Sequence, residues 1–359
     1  MANFGYRRAL FIRFGGLGDI LLATPAVRAL ARTYPGIAID FVVGGGMADA
    51  LSGHPLVRNI WVFNKRGIDA RLDKFVPFLA RLARQRYDLT VNLHPSAKSF
   101  AMTAASHART NLTFRKQMAV RTDTGRVAHA VDDFLKELRP LGIEETQDRS
   151  LDFFVPPDAR DRVDALLRAH GVGPQERLLV INPAASRPLN RWAWERFAQV
   201  AAHFAARPGV RVIITGAPLS FQTVMDGLDE ISLARQVSGG DPRILDLAGR
   251  LSVKEFGALL QSAHAFLTCD TGPMHIASAL GTPLIVLSGA ADPNRTGPLN
   301  ANSVVLIDRE LSCVPCRDRV CRRGDVRCMD DLSVGQVAEA LDMMLAGHRR
   351  EPRIALPVF

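Results

Sequence analysis

Short aliphatic and β-branched runs alternate along this chain with Gly-, Pro- or Asn-containing turns and with segments of helical periodicity. In the first half, the aliphatic runs cover residues 9–14, 37–43, 59–63 and 88–93, and a helical segment follows each of them. A succession of strands and helices favours parallel pairing of the strands, with the helices packed over the sheet. The alternation therefore predicts an α/β fold built on an open, doubly wound parallel sheet.

The same alternation restarts in the second half, after a polar stretch at residues 143–150 and a Pro-Pro pair. We place a domain hinge near residues 150–175, because 359 residues are enough for two domains that each bury a core. The expected domains are residues 1–160 and residues 170–345, with a deep cleft between them. In sheets of this kind, ligands bind outside the carboxyl ends of the strands.

Composition excludes several other classes of protein. The chain is 47% apolar and 23% charged, which is ordinary for a globular protein. No apolar run reaches the roughly 18–20 residues that span a bilayer, and the first residues lack the long apolar core of a secretory signal. We therefore expect a cytoplasmic protein.

The charge balance is basic, with 45 Lys and Arg residues against 36 Asp and Glu residues. Nearly all of these cations are Arg, a bias that a GC-rich coding sequence alone can produce. The functional alternative is attraction to an anionic partner, such as a phosphate group or an acidic membrane leaflet. Nucleic acid is a poor candidate, because the arginines are scattered and only three Trp and three Tyr residues are available for stacking on bases.

The first motif is RFGGLGDI at residues 13–20, where a strand meets a glycine turn and then a helix. The glycines allow the backbone to approach a ligand closely. Their spacing is not that of a dinucleotide-binding turn, and no acidic residue is suitably placed after the next strand for a ribose. Asp19 is either a plain N-cap of the helix or a carboxylate that acts as a general base.

The second motif is CDTGPMHIASALGTP at residues 269–283, where a strand is followed by a tight turn and a helix. Backbone N–H groups and the positive end of the helix dipole make such a helix start an anion site, although an ordinary capped turn would have the same pattern. The hydroxyl and imidazole groups in the turn favour a diphosphate. The candidate contacts are Asp270, Thr271, Gly272, Pro273, Met274 and His275.

The third motif, at residues 182–197, joins the end of a strand to a helix through a small-residue, basic loop. Small residues let a ligand lie close to the backbone, and the loop is basic, so Ser186, Arg187 and Arg191 are further candidates for ligand binding. Trp192 and Trp194 are expected to be packing residues at the helix start.

The fourth motif contains Cys313, Cys316, Cys321 and Cys328, with two, four and six residues between successive cysteines. This pattern fits four thiolates around Zn or Fe, and the five flanking arginines would offset their charge. Free thiols or redox chemistry are the alternative, whereas a disulfide is disfavoured in a cytosolic chain. A site with four thiolates has no open position for catalysis, so the predicted role is structural. Cys269 is expected to lie in the core.

Together the four motifs resemble glycosyltransferase family 9, the lipopolysaccharide heptosyltransferases, over about residues 8–345. The resemblance implies a GT-B fold, which has two Rossmann-like domains and an active site between them. It implies inverting transfer of heptose from ADP-heptose to an anionic, lipid-linked saccharide at the inner face of the inner membrane. It also implies that catalysis needs no metal or other cofactor.

The resemblance also suggests roles for individual residues. Asp19 matches the general base of the family, and Asp270 to His275 match the segment that holds the diphosphate and sugar of the donor. Ser186 lies in the loop that faces the nucleotide. The segment at residues 91–99 corresponds to the acceptor side, where His94 and Lys98 are candidate contacts with phosphate or sugar. His94 is equally explained as an ordinary loop histidine.

Two departures from the family pattern affect the donor site. Asn190 stands where the family usually has Lys, so Arg187 or Arg191 must supply any positive charge there. Residues 216–222 contain no carboxylate, although family members often have one near the nucleoside. Two alternatives follow: another GT-B enzyme with a different donor, a protein acceptor or epimerase activity, and a non-catalytic relative in which the cysteine segment builds an oligomer.

Overall fold

A computed structural model describes residues 5–64, 67, 69, 71–115, 127–144, 148–217 and 227–347. The chain divides into two compact units, Met1–Phe154 and Val155–Phe359. Each unit is built on one sheet in which every strand pairing is parallel. The expected α/β class with two Rossmann-like sheets is therefore confirmed.

The first unit holds a five-stranded sheet in the order β3-β2-β1-β4-β5. Its strands are β1 (Arg8–Ile12), β2 (Ala38–Val43), β3 (Val57–Val62), β4 (Leu89–Asn92) and β5 (Thr110–Thr113). Its helices are α1 (Leu17–Leu21), α2 (Thr24–Thr33), α3 (Leu72–Ala83), α4 (Ala97–Ala105) and α5 (Ala130–Lys136), with 3-10 turns at Ala48–Ala50 and Arg139–Leu141. Strand β1 is central and almost wholly buried, as an aliphatic run with both faces covered should be.

The second unit holds a six-stranded sheet in the order β11-β10-β9-β6-β7-β8. Its strands are β6 (Arg177–Asn182), β7 (Val210–Ile214), β8 (Ile244–Asp246), β9 (Ala265–Cys269), β10 (Leu284–Ser288) and β11 (Ser303–Ile307). Its helices are α6 (Pro157–Ala169), α7 (Trp194–Ala205), α8 (Glu230–Ser238), α9 (Val253–Ser262), α10 (Gly272–Leu280), α11 (Pro293–Thr296), α12 (Arg327–Asp330) and α13 (Val334–Leu345), with a 3-10 turn at Pro188–Asn190.

Some elements differ from the pattern expected from sequence. The helical segment after β1 is divided into α1 and α2, and Pro25 lies in the first turn of α2, where its missing N–H costs nothing. The stretch assigned to a hinge contains α6, which packs against α9 in the second unit. Strands β5, β8 and β11 are edge strands that the search for aliphatic runs did not identify, and β5 is polar.

The described helices include none that is both long and apolar enough to cross a membrane.

Candidate active site

In the first unit, the glycine turn after β1 places Asp19 in the third position of α1. Gly16 is the N-cap, and its backbone N–H donates to Oδ2 of Asp19 at 3.1 Å. The prediction that Asp19 is itself the N-cap is therefore wrong: Asp19 binds back to the cap from within the first turn. A Cβ at position 15 would collide with this carboxylate, so Gly15 is needed for the close approach.

Arg13 is the main partner of Asp19, and sequence reasoning did not identify it. One guanidinium nitrogen donates to Oδ1 of Asp19 at 2.6 Å, and another donates to the carbonyl of Leu93 at 2.6 Å. The guanidinium carbon also lies 5.0 Å from the centroid of the Phe134 ring. The Arg13 side chain is 15% exposed and that of Asp19 is 43% exposed. A largely buried cation thus fixes an accessible carboxylate, which is suitable geometry for a general base.

His94 and Lys98 lie beside the neighbouring strand, β4. The ring of His94 is 5.5 Å from the Phe14 ring, and its backbone N–H donates to Oδ1 of Asn92 at 3.1 Å. Lys98 is in the first turn of α4, with Nζ 5.9 Å from the centroid of the Phe63 ring. Because β1 and β4 are adjacent and parallel, their carboxyl ends lie at the same edge of the sheet. The residues that come after these ends, Asp19, His94 and Lys98, therefore lie at that edge.

In the second unit, the turn after β9 leads directly into α10. Thr271 is the N-cap residue but its side chain does not cap the helix, so the hydroxyl is not used there. Gly272 and Pro273 form the start of the first turn. Met274 is fully buried and His275 nearly so. The nine-residue helix presents its N-terminal N–H groups at the carboxyl edge of the sheet.

Asp270 sits at this turn and is half-buried. This burial raises the pKa of Asp270 to about 6, against the opposing effect of the nearby cation of Arg187. A carboxyl with a raised pKa repels a diphosphate less than a fully ionised one does. Asn190 donates from Nδ2 to the carbonyl of Asp270 at 3.2 Å. Asn190 therefore has a structural role at the turn.

The loop after β6 places the other donor candidates at the surface. Ser186 and Arg187 are exposed, and Arg191 is half-buried with Nε donating to the carbonyl of Ala185 at 2.9 Å. Because Asn190 in the same loop holds the carbonyl of Asp270, this loop and the turn after β9 are joined directly. The structure thus brings Ser186, Arg187 and Arg191 to the same sheet edge as the start of α10.

Two buried polar atoms lie along this edge and were not anticipated. Oδ1 of Asn182 and Oγ1 of Thr268 have no hydrogen-bond partner in the described part of the chain. The two residues are register partners, with Asn182 the last residue of β6 and Thr268 one residue before the end of β9. Buried polar atoms are nearly always satisfied, so a bound water molecule or ligand group is expected here.

A carboxylate does reach the loop after β7, although residues 216–222 contain none. Oε2 of Glu230, the first residue of α8, accepts the backbone N–H of Ala217 at 2.7 Å. Residues 218–226 lie outside the described residues. Glu230 is 13 residues from Ala217 in the sequence, so the spacing of residues 216–222 gives no sign of this contact.

The cysteine segment packs against the residues that directly follow β10, at the carboxyl ends of the strands. Cys328 is buried, and a Cβ at Gly289 would lie 2.9 Å from its Sγ. Burial and the nearby thiols of Cys316, Cys313 and Cys321 raise the pKa of Cys328 to about 11. All the cysteines are free thiols. In the described ranges, no three or more His, Cys, Asp or Glu side chains are arranged to hold a metal ion, so the predicted metal centre is not shown.

Cys269 lies apart from this segment and is fully buried in β9, as expected for a core residue. Its burial raises the pKa of its thiol to about 12, so the group stays neutral and packs as a small hydrophobe.

Comparisons with known proteins place these features in a family. Residues 77–327 match the family described as Glycosyltransferase family 9 (heptosyltransferase). Lipopolysaccharide heptosyltransferase 3 of Escherichia coli is 26% identical over 341 residues, which cover 91% of this chain and 96% of that protein.

Solved structures share the fold. The E. coli ADP-heptose lipopolysaccharide heptosyltransferase II superposes with a TM-score of 0.75 at 19% identity, covering 96% of this chain and 100% of that one. The iron-containing dodecameric glycosyltransferase TibC of enterotoxigenic E. coli H10407 superposes with a TM-score of 0.56 at 14% identity, covering 95% and 77%. The chain belongs to glycosyltransferase family 9 and is a glycosyltransferase.

Proposed function

We propose that this glycosyltransferase moves a heptose from ADP-heptose to a hydroxyl of a lipopolysaccharide-core or related saccharide, with inversion at the anomeric carbon. The observation that carries the proposal is the carboxylate of Asp19, which is 43% exposed in the first turn of α1 and is held by Arg13 at 2.6 Å. The names of the similar proteins, which include an ADP-heptose enzyme, support the choice of donor. We assign binding of the acceptor to the first unit and binding of the donor to the second unit.

In this mechanism Asp19 accepts the proton of the acceptor hydroxyl while its oxygen attacks the anomeric carbon of the donor. The bond from that carbon to the diphosphate oxygen breaks on the opposite face, and ADP leaves with the bonding electron pair. A positioned general base typically contributes about 10²–10⁴-fold to the rate. His94 and Lys98, at the same sheet edge as Asp19, are assigned contacts with phosphate or sugar groups of the acceptor.

The leaving diphosphate is stabilised by groups of the second unit, so that catalysis needs no metal or other cofactor. The N–H groups at the start of α10 point their dipole at the phosphates, and the Thr271 hydroxyl is not used for capping. His275, Ser186, Arg187 and Arg191 are the further donors assigned to this site. Asp270, with its pKa of about 6, lies beside them and is partly protonated in weakly acidic solution.

A panel of nucleotide sugars tests the choice of donor. Thermal denaturation with ADP-, UDP-, GDP- and CMP-sugars is expected to show stabilisation by the ADP compound above the others. A ligand that binds only the native state adds about 2.7 kcal/mol of stability at 100 times its Kd. A transfer assay then follows release of ADP with and without a heptose-containing acceptor. Preference for another nucleotide, or free sugar product without acceptor, would contradict the proposal and favour another GT-B enzyme.

The His275→Ala variant is expected to bind ADP about tenfold to a hundredfold more weakly than the wild-type chain. A hydrogen bond to a charged group contributes about 1.5–3 kcal/mol, which sets this range. Isothermal titration calorimetry with ADP measures the change. His264→Ala is the matched control, because His264 lies at the other end of β9 and accepts the backbone N–H of Leu178 at 3.1 Å. Equal ADP affinity in all three proteins would make the turn at His275 purely structural.

We further propose that Cys313, Cys316, Cys321 and Cys328 hold one structural Zn or Fe ion. Four thiols are a donor set that both metals accept, and three of them are close enough to Cys328 to raise its pKa. The iron-containing relative supports iron as one of the two metals. A closed four-thiolate site leaves catalysis to the residues described above.

Metal analysis of protein purified without chelator or oxidation is expected to give about one Zn or Fe per chain. Cys316→Ser is expected to lower the metal content and the melting temperature before it lowers the turnover of folded protein, because the metal stabilises the loop. Cys269→Ser is the control, since its thiol lies in β9 rather than in the loop and should leave the metal content unchanged. Absence of metal from the wild-type protein would rule out this site.

We propose that the protein is cytoplasmic and works at the inner face of the inner membrane. Its acceptor is lipid-linked, so the enzyme must reach a saccharide held at the bilayer surface.

A further inference from the structure

A cavity of about 340 Å³ lies in the first unit, apart from the turn that holds Asp19. It is bordered by the later turns of α2, by the residues directly before β3, and by the last residues of the unit. The residues before β3 lie at the amino ends of the parallel strands, whereas Asp19 follows the carboxyl end of β1. Small-molecule sites typically have volumes of roughly 300–1,000 Å³, so this cavity is large enough for a ligand.

The lining of the cavity includes a buried hydrogen-bond donor. His54 is 4% exposed, and its Nδ1 accepts the backbone N–H of Leu56 at 3.2 Å, which places the ring proton on Nε2. Nε2 is buried and has no hydrogen-bond partner in the described part of the chain. Oδ2 of Asp152, which also lines the cavity, lies 3.5 Å from Nε2. Buried polar atoms nearly always have a partner, so we expect a group that accepts from Nε2 and donates to Oδ2.

The carboxylate of Asp152 is held in place by α2. Its Oδ1 accepts a hydrogen bond from Arg28 at 2.5 Å, and its backbone N–H donates to the hydroxyl of Thr24 at 2.9 Å. A second nitrogen of Arg28 donates to the carbonyl of Ser150 at 2.7 Å, which fixes the preceding residues as well. These contacts orient the carboxylate without using Oδ2, which is therefore available to a ligand.

The charges around the cavity favour a neutral ligand. Arg28 pairs with Asp152, and Arg32 pairs with Asp148 at 3.2 Å. An anion would be repelled by the carboxylate of Asp152, and a cation would be repelled by the two guanidinium groups. A metal ion is also unsuitable, because the nitrogen that would bind it carries the ring proton. A hydroxyl group fits, since its oxygen can accept from Nε2 while its proton is donated to Oδ2.

The rest of the lining is apolar and consists of Ala31, Pro55, Leu56 and Phe154. The Phe154 ring meets the His54 ring edge to face, with the two centroids 5.0 Å apart, so an aromatic wall adjoins the buried donor. One water molecule would satisfy the polar pair, but it occupies only about 30 Å³ and would leave the apolar walls uncovered. A saccharide has a hydroxyl on nearly every carbon, and several of these would lie against apolar walls without a partner.

We propose that this cavity binds a small, neutral ring compound that carries one hydroxyl group. The ring lies against the apolar walls, and the hydroxyl bridges Nε2 of His54 and Oδ2 of Asp152. The site is separate from the transfer of sugar and does not depend on the function proposed above. Its ligand contacts residues 152–154, where the first unit ends, and holds them against α2.

Calorimetric titration with phenol tests the site. Phenol is expected to bind the wild-type chain, and toluene, which has a similar shape without the hydroxyl, is expected to bind about tenfold to a hundredfold more weakly. This range is the one for a hydrogen bond to a charged group. Ala31→Leu is expected to weaken phenol binding roughly tenfold, because the larger side chain fills the cavity from α2. Ala83→Leu is the matched control, because Ala83 is also half-buried in a helix of the first unit but does not line the cavity.

Asp152→Asn separates the hydroxyl contact from the shape of the cavity. The amide has the size of the carboxylate, so toluene should bind this variant as it binds the wild-type chain. The preference for phenol should fall to a few-fold, because a hydrogen bond to a neutral group contributes less than one to a charged group. Thermal denaturation checks that each variant is folded.

Three results would overturn the proposal. The first is equal affinity of the wild-type chain for phenol and toluene, and the second is equal binding of phenol by the wild-type chain and Ala31→Leu. The third is tighter binding of glucose than of phenol, which would make the cavity a saccharide site.

Discussion

The Asp19→Asn variant is expected to transfer sugar at least about 10²-fold more slowly than the wild-type chain while binding ADP with unchanged affinity. The substitution removes the group that accepts the proton and keeps the size of the side chain. The amide oxygen can still accept the N–H of Gly16, which now stands 3.1 Å from Oδ2. The ion pair with Arg13 is lost, and because the Arg13 side chain is only 15% exposed, the variant is also expected to be somewhat less stable.

Three measurements separate catalysis from folding in this variant: ADP release for turnover, calorimetry for ADP affinity, and thermal denaturation. Asp88→Asn is the control. Oδ2 of Asp88 accepts the backbone N–H groups of Arg7 and Arg8 at 2.8 and 3.0 Å, so it is a structural carboxylate in the same unit. It should change stability and leave turnover of the folded protein intact. A near wild-type rate in Asp19→Asn would exclude it as the base and direct the search to Asp270 or His94.

The parts of the fold that could be predicted are those that the sequence encodes locally. Central strands such as β1 and β9 are buried on both faces and therefore appear as continuous aliphatic runs. The edge strand β5 has one neighbour and a polar composition, so no run indicates it. The break between α1 and α2 lies next to Pro25, which is a local signal for a helix start. The prediction missed this signal because the apolar pattern of residues 19–34 favoured a single amphipathic helix.

In the candidate site, too, the local features could be predicted and the contacts between distant residues could not. Turns such as those at Asp19 and Thr271 are set by neighbouring residues, so glycine and proline spacing placed them at strand ends. The partners that orient them come from elsewhere in the chain. Arg13 reaches the carbonyl of Leu93, 80 residues away, and Asn190 reaches that of Asp270, also 80 residues away. Such contacts depend on the tertiary fold, which periodicity does not encode.

Asp40 illustrates the same limit, because a carboxylate within a strand gives no sign of its partners. Its side chain is fully buried in β2. It accepts hydrogen bonds from Arg58 at 2.9 Å through two nitrogens, from Tyr87 at 2.7 Å, and from Asn59 and Trp61 at 3.2 and 3.3 Å. A buried charge is tolerated only when it is paired and hydrogen-bonded this fully.

The Asp40→Ala variant is expected to lose about 3 kcal/mol of unfolding free energy, the lower end of the cost of breaking a buried pair. The lower end applies because the Arg58 side chain is 35% exposed and water can partly solvate it once Asp40 is gone. The Tyr87 hydroxyl, in contrast, would be left buried. Denaturant unfolding measures the change. Asp73→Ala is the matched control in the same unit, since Asp73 forms an exposed pair with Arg71, and its cost should stay below about 1 kcal/mol.

The same hydrogen bonds predict how the difference in unfolding free energy between wild type and Asp40→Ala changes with pH. Burial alone would raise the pKa of Asp40, but hydrogen bonds from Arg58, Tyr87 and Trp61 together outweigh it and hold the pKa below its ordinary value. Because the pKa of Asp40 is lower in the folded state, the contribution of its carboxylate to the free energy of unfolding is complete above the unfolded pKa of about 4. This contribution is lost as the pH falls through the folded-state pKa.

At the alkaline end the sign is reversed. Burial and the hydrogen bond to Asp40 raise the pKa of Tyr87, so the stability from its neutral hydroxyl is complete below about pH 10 and declines above it. The difference between the two proteins should therefore be flat from about pH 5 to 9 and shrink on both sides. A difference that persists undiminished at about pH 2 would show that Asp40 contributes through packing rather than through its charge.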